Sequence, residues 1–84
     1  MATNVEIPES LIQLQRTANA ARREATRGNY STEAWQPWLD AADVLQRAVT
    51  DHAAAAAVSR YELEMAVKKT AREQDETDEA VAAR

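Results

Sequence analysis

The chain has 84 residues and a formal net charge of −4, and 45% of it is hydrophobic by class, but nineteen of those residues are alanine. A chain this short, with half its apolar set cut down to a methyl group, holds one domain at most and cannot build a thick core. The lack of Cys excludes a disulfide framework and thiolate chemistry, and the acidic balance disfavours general nucleic-acid binding, which needs a net basic face.

No apolar run approaches the ~20 residues needed to span a bilayer. Met1 to Glu9 carries neither the basic nor the apolar region of a secretory signal, so none is expected there. A single Gly leaves no glycine-rich phosphate loop. Ala, Arg, Glu, Gln, Leu and Lys dominate, and each loses little entropy in a helix. The expectation is an ordered all-α protein.

The first periodic segment opens at Pro8, with Glu9 in the position that complements the helix dipole. Ile7, Leu11, Leu14, Ala18, Ala21 and Ala25 recur at alternating spacings of three and four, which is one face of a helix. Gly28 follows, the residue that most easily takes a left-handed conformation past a helix end, and Arg22, Arg23 and Arg27 suit the carbonyl end of the dipole. A helix is predicted over 8–27 and a turn over 28–31. Ser31 or Thr32 caps the next helix, Glu33 sits in its first turn, and Pro37 lies early enough to cost one or two helical bonds.

After Pro37 neither Gly nor Pro occurs. Trp35, Trp38, Ala42, Leu45, Val49, Ala53, Ala56, Arg60, Leu63, Val67 and Ala71 form one sustained stripe. A single long helix over 32–73 is predicted. The rival is a break at Thr50-Asp51, with Asp51 capping a third helix. The continuous helix is preferred because the stripe keeps its phase across Asp51. From Glu73 the chain becomes acidic and is expected to fray, so one helical domain over 1–79 is followed by a disordered tail over 80–84.

A short connection makes the two helices antiparallel neighbours, with residue i meeting roughly residue 60 − i. Ala21 and Ala25 then face Trp35, Trp38 and Leu39, Ala18 faces Ala42, and Leu11 and Leu14 face Leu45 and Val49. At ~1.5 Å per residue the first helix spans ~30 Å and the second ~60 Å, so cover ends near Ala53. A second stripe, Ala41, Val44, Ala48, Ala55 and Val58, widens the apolar arc beyond what one neighbour covers. The expected fold is an antiparallel helical hairpin that dimerises into a four-helix bundle or an elongated, coiled-coil-like helical dimer. The candidate protein interface is Val44, Ala48, Ala55, Val58, Tyr61, Leu63, Met65 and Val67.

Other candidate sites have plainer explanations. His52 beside Asp51 suggests a proton shuttle, but adjacent helical residues do not face each other, so a seam or surface histidine is the better reading. Trp35 and Trp38 suggest an aromatic platform, but the wide end of the core explains them. The acidic run from Glu73 to Glu79 lacks the glycine and oxygen spacing of a calcium loop and reads as solvated. Arg16, Arg23 and Arg27 share one side of the first helix, while Arg60, Lys68, Lys69 and Arg72 lie late on the second. Both groups suit phosphates, but interhelical ion pairs are the simpler use. Tyr61, past the reach of the first helix and close to Met65, resembles an interaction face; burial of the same residues within the homodimer is the equal alternative.

The alanine and arginine richness, with Ile7-Pro8-Glu9-Ser10-Leu11-Ile12 and Arg60-Tyr61-Glu62-Leu63-Glu64, resembles small alanine-rich helical proteins of high-GC bacteria and their phages. The resemblance implies a cytoplasmic protein and assigns no site. The expected function is a non-enzymatic interaction or assembly protein that self-associates through the uncovered part of its second helix, with another protein as a further partner. The alternative is a small nucleic-acid-associated regulator in which a dimer presents Arg16, Arg23 and Arg27 twice. No cofactor, metal or membrane is expected.

Overall fold

The structure, a computed structural model, describes residues 7–28 and 31–82. Among them the chain forms three helices and no strand: α1 (Glu9–Ala25), α2 (Thr32–Ala56) and α3 (Arg60–Ala82). The all-α expectation holds, but the single helix over 32–73 does not. The rival reading has the right number of helices and the wrong break. Asp51 lies exposed within α2, and the chain turns later, at Ala57.

This break has a specific local chemistry. Ala57 is left-handed, with φ 56° and ψ 42°, and it is the one non-glycine residue of positive φ among the described residues. The Val58 amide donates to the Ala53 carbonyl at 3.1 Å and the Ala57 amide to the Ala54 carbonyl at 3.3 Å. These two bonds make a Schellman motif, which satisfies carbonyls the helix end leaves open. Val58 packs back on the core cluster that holds Ala53, supplying the apolar contact that accompanies such motifs. Ser59 then caps α3, its hydroxyl accepting from the Glu62 amide at 3.3 Å.

Energy explains why the chain turns rather than continuing. A left-handed alanine costs about 1–2 kcal/mol. The turn brings Leu63 and Val67 to 0% exposure, each worth roughly 1.5–3 kcal/mol over staying in water. Two such side chains outweigh one strained backbone. Leu63 and Val67 were expected to need a second chain. They are instead central to the core of their own, with Leu11 and Ala18 from α1 and Leu45, Val49 and Ala53 from α2.

The ends of the other helices follow from their residues. The Pro8 carbonyl accepts from Leu11 at 3.0 Å and opens α1. Gly28 does not close it, because no described glycine has positive φ. Thr26 closes it: its amide bonds the Arg22 carbonyl, and its hydroxyl donates to the Arg22 and Arg23 carbonyls at 3.1 Å. Ser31 caps α2 by accepting from the Ala34 amide at 3.0 Å, and Pro37 is accommodated inside that helix. The turn residues 29 and 30, and residues 1–6, 83 and 84, lie outside the described residues. So does part of the predicted disordered tail, but α3 carries helix through Glu73–Glu79 to Ala82, against the expected fraying. Trp35 and Trp38 are half-buried and packed edge to face, with centroids 5.5 Å apart, outside the main core cluster.

Candidate protein-interaction surface

At ~100° per residue, α3 has two contrasting sides. Leu63, Val67 and Ala71 form its buried stripe. Tyr61, Met65, Lys68, Arg72, Glu76 and Glu79 fall together on the far side. Tyr61 is 70% exposed and Met65, one turn later, 49% exposed. Met65 and Ala66 floor a shallow depression of about 420 Å³ rimmed by Lys68, Lys69 and Arg72.

Both halves of α3 are tied down, which holds this face in place. At its start, Arg60 donates to the Thr50 hydroxyl of α2 at 3.0 Å and to the Gln46 side chain. Glu64 takes ion pairs from Arg60 and Lys68, each at 3.1 Å. The Lys68 hydrogen bond, with help from Gln46 and Arg60, outweighs burial and holds the Glu64 carboxyl below the usual range.

Toward its end, α3 is clasped to α1. Arg16 donates to Asp75 at 2.8 Å and to Gln74 at 3.1 Å, and it also binds Asp78. Asn19 donates to the second Asp75 oxygen at 3.2 Å, and Arg23 stands 3.8 Å from it. Gln15, itself buried, donates to Asn19 at 3.0 Å and so holds that amide toward Asp75. Burial pushes Asp75 up, but the Arg16 and Asn19 hydrogen bonds and the Arg16 and Arg23 charges together bring it below its ordinary value. The hydrogen bonds to Asp75 and then Asp78 likewise strengthen the hold of Arg16 on its proton.

The sequence-predicted interface is thus dispersed. Tyr61 and Met65 are exposed on α3. Val44 and Ala55 are exposed on α2, but Ala48 and Val58 are half-buried and pack on the chain's own core. Leu63 and Val67 are lost to that core. The three candidate nucleic-acid contacts all face carboxylates: Arg16 as above, Arg23 near Asp75, and Arg27 paired with Glu24 at 3.1 Å. His52 is half-buried on α2.

Sequence reasoning missed Asp75 and Asn19 as a docking point, because a bundle had to bring α3 against α1 before they met. It also missed the start of α3. Ser59-Arg60-Tyr61-Glu62 has the Ser-x-x-Glu spacing of a capping box, a signal available in the sequence.

Comparison of the chain with family models, with curated proteins and with solved structures gives no match in any of the three. Among the described residues no helix is long and apolar enough to cross a membrane. Nor, among them, does any group of three His, Cys, Asp or Glu side chains stand where it can hold a metal ion.

Proposed function

We propose that this chain is a non-enzymatic interaction protein that works by self-association through the outward face of α3. The carrying observation is Tyr61 with Met65, two large side chains one helical turn apart, exposed on the side of α3 away from the buried stripe. Aromatic residues and Met are enriched at interfaces, where an amphipathic ring and a flexible thioether adapt to a partner. Because α3 is anchored by Arg60 at one end and Asp75 at the other, it presents this face without a large ordering cost on binding.

Sedimentation equilibrium of the full chain tests the reading. The expected mass exceeds the 9.3 kDa of one chain, and Tyr61→Ser with Met65→Ser shifts the equilibrium to monomer with unchanged helical circular dichroism. A wild-type protein that stays at 9.3 kDa at the highest soluble concentration overturns it. A nucleic-acid regulator has weaker support, since Arg16, Arg23 and Arg27 already stand beside Asp75, Asp78 and Glu24.

A further inference from the structure

The outward face of α3 is sorted into two charge blocks. Lys68, Lys69 and Arg72 come first, and Glu76 and Glu79 follow, with Glu73 on their flank; all six are exposed. Among the described residues, Lys68 alone of these six makes an ion pair, with Glu64. Arg72 and Glu76 stand four apart, as do Lys69 and Glu73, yet neither pair closes. In both, the cation precedes the anion, the weaker order on a helix. Arg72, Glu76 and Glu79 also border a cleft toward α1 that includes Arg22 and Arg23; there Arg23 pairs with Asp75, and neither Glu76 nor Glu79 takes an ion pair among the described residues.

Position adds to this. Carboxylates late in a helix oppose its dipole. Arg16 offsets that for Asp75 and Asp78. Glu76 and Glu79 take no such ion pair among the described residues.

A strip that reads cations then anions is complementary to itself when laid in reverse, and repels itself when laid in parallel. We infer that the occupant of this face is a second copy of the chain, its α3 antiparallel, with Lys68 against the partner's Glu79 and Arg72 against the partner's Glu76. The inference rests on the self-association proposed above and supplies its partner and direction. One two-fold axis between Arg72 and Glu76 makes both sets of contacts at once, as an isologous interface requires. The same register sets Met65 beside the last turn of the partner's α3 and Tyr61 just past the end of that helix, and the two helix dipoles oppose. Exposed ion pairs are individually weak and screened by salt, so the blocks fix orientation and make the association salt-sensitive.

Charge reversal in the full chain tests it. Lys68→Glu with Arg72→Glu makes the face wholly acidic apart from Lys69, and Glu76→Lys with Glu79→Lys makes it basic apart from Glu73. Each variant alone is expected to self-associate more than about tenfold more weakly than wild type, while an equimolar mixture forms a one-to-one complex. Circular dichroism confirms that each variant is folded. If wild type dimerises and both variants dimerise equally well alone, or if both weaken and mixing restores nothing, the antiparallel pairing is overturned while self-association stands. A monomeric wild type overturns both.

Discussion

Arg16 on α1 and Asp75 on α3 are 59 positions apart in sequence and joined by a 2.8 Å hydrogen-bonded ion pair. Asp75 is only 15% exposed in its side chain, so water screens this pair less than an ordinary surface bridge. Asn19, held by Gln15, satisfies the other carboxylate oxygen. The acidic segment thereby gains an anchor that its own composition does not supply, and helix persists where the sequence alone argues for fraying.

The clasp makes stability depend on pH in a defined sense. The Asp75 carboxyl is held below its ordinary value, so the unfolded chain binds that proton more readily than the folded one. Its contribution is fully present above the unfolded pKa of about 3.9 and is lost as pH falls through the lower folded value. Glu64, shifted the same way, adds to the same loss. Asp75→Asn is expected to destabilise by about 1–3 kcal/mol at neutral pH and to flatten the acid limb of a urea-melt series. Identical pH dependence in variant and parent would contradict this role for Asp75.

Neighbouring residues on α3 are expected to respond in opposite ways to truncation. Leu63→Ala leaves a cavity at a fully buried site and should cost about 2–5 kcal/mol. Tyr61→Ala, two residues earlier on the exposed side, should change monomer stability by no more than about 0.5 kcal/mol. Chemical denaturation at low protein concentration separates the two. Equal tolerance at both positions would mean that α3 does not fold back on the core.

Ala57 invites a stabilising substitution. Its φ of 56° is strained for alanine and free for glycine. The relief of about 1–2 kcal/mol is partly offset by the larger unfolded-state entropy of glycine, about 0.4–1 kcal/mol. Ala57→Gly should therefore raise stability by roughly 0.5–1 kcal/mol in a thermal melt, a net of those two terms. Ala57→Val should lower it, since a β-branched side chain tolerates that backbone least. A destabilising glycine would show that the turn is not left-handed in solution.

Much of the helical register was legible because it is written locally. The Ser31 cap and the spacing of Leu11, Leu45 and Val49 all depend on residues within a turn or two of each other, and each appears as the pattern implies. The break at Ala57 was hidden for an equally physical reason. Alanine is the strongest helix former, and the stripe Ala53, Ala56, Arg60, Leu63, Val67 keeps its phase across the turn, so periodicity gives no warning. Only the Ser59-to-Glu62 spacing marks it. The candidate interface residues divide along the same line. Tyr61 stays exposed, while Leu63 and Val67 are buried because the turn at Ala57 folds α3 back on the core, cover that a straight second helix does not provide.

Helix class, a thin alanine-rich core and the absence of cysteine chemistry follow from residue types, because propensity and composition act at each position independently of the rest. Where the third helix begins, which face of it is buried, and whether Arg16 meets a phosphate or Asp75 follow from packing. A left-handed alanine is tolerated only when the side chains beyond it gain more by returning to the core than the turn costs. That balance is struck between residues far apart in sequence, and only the folded chain brings them into contact.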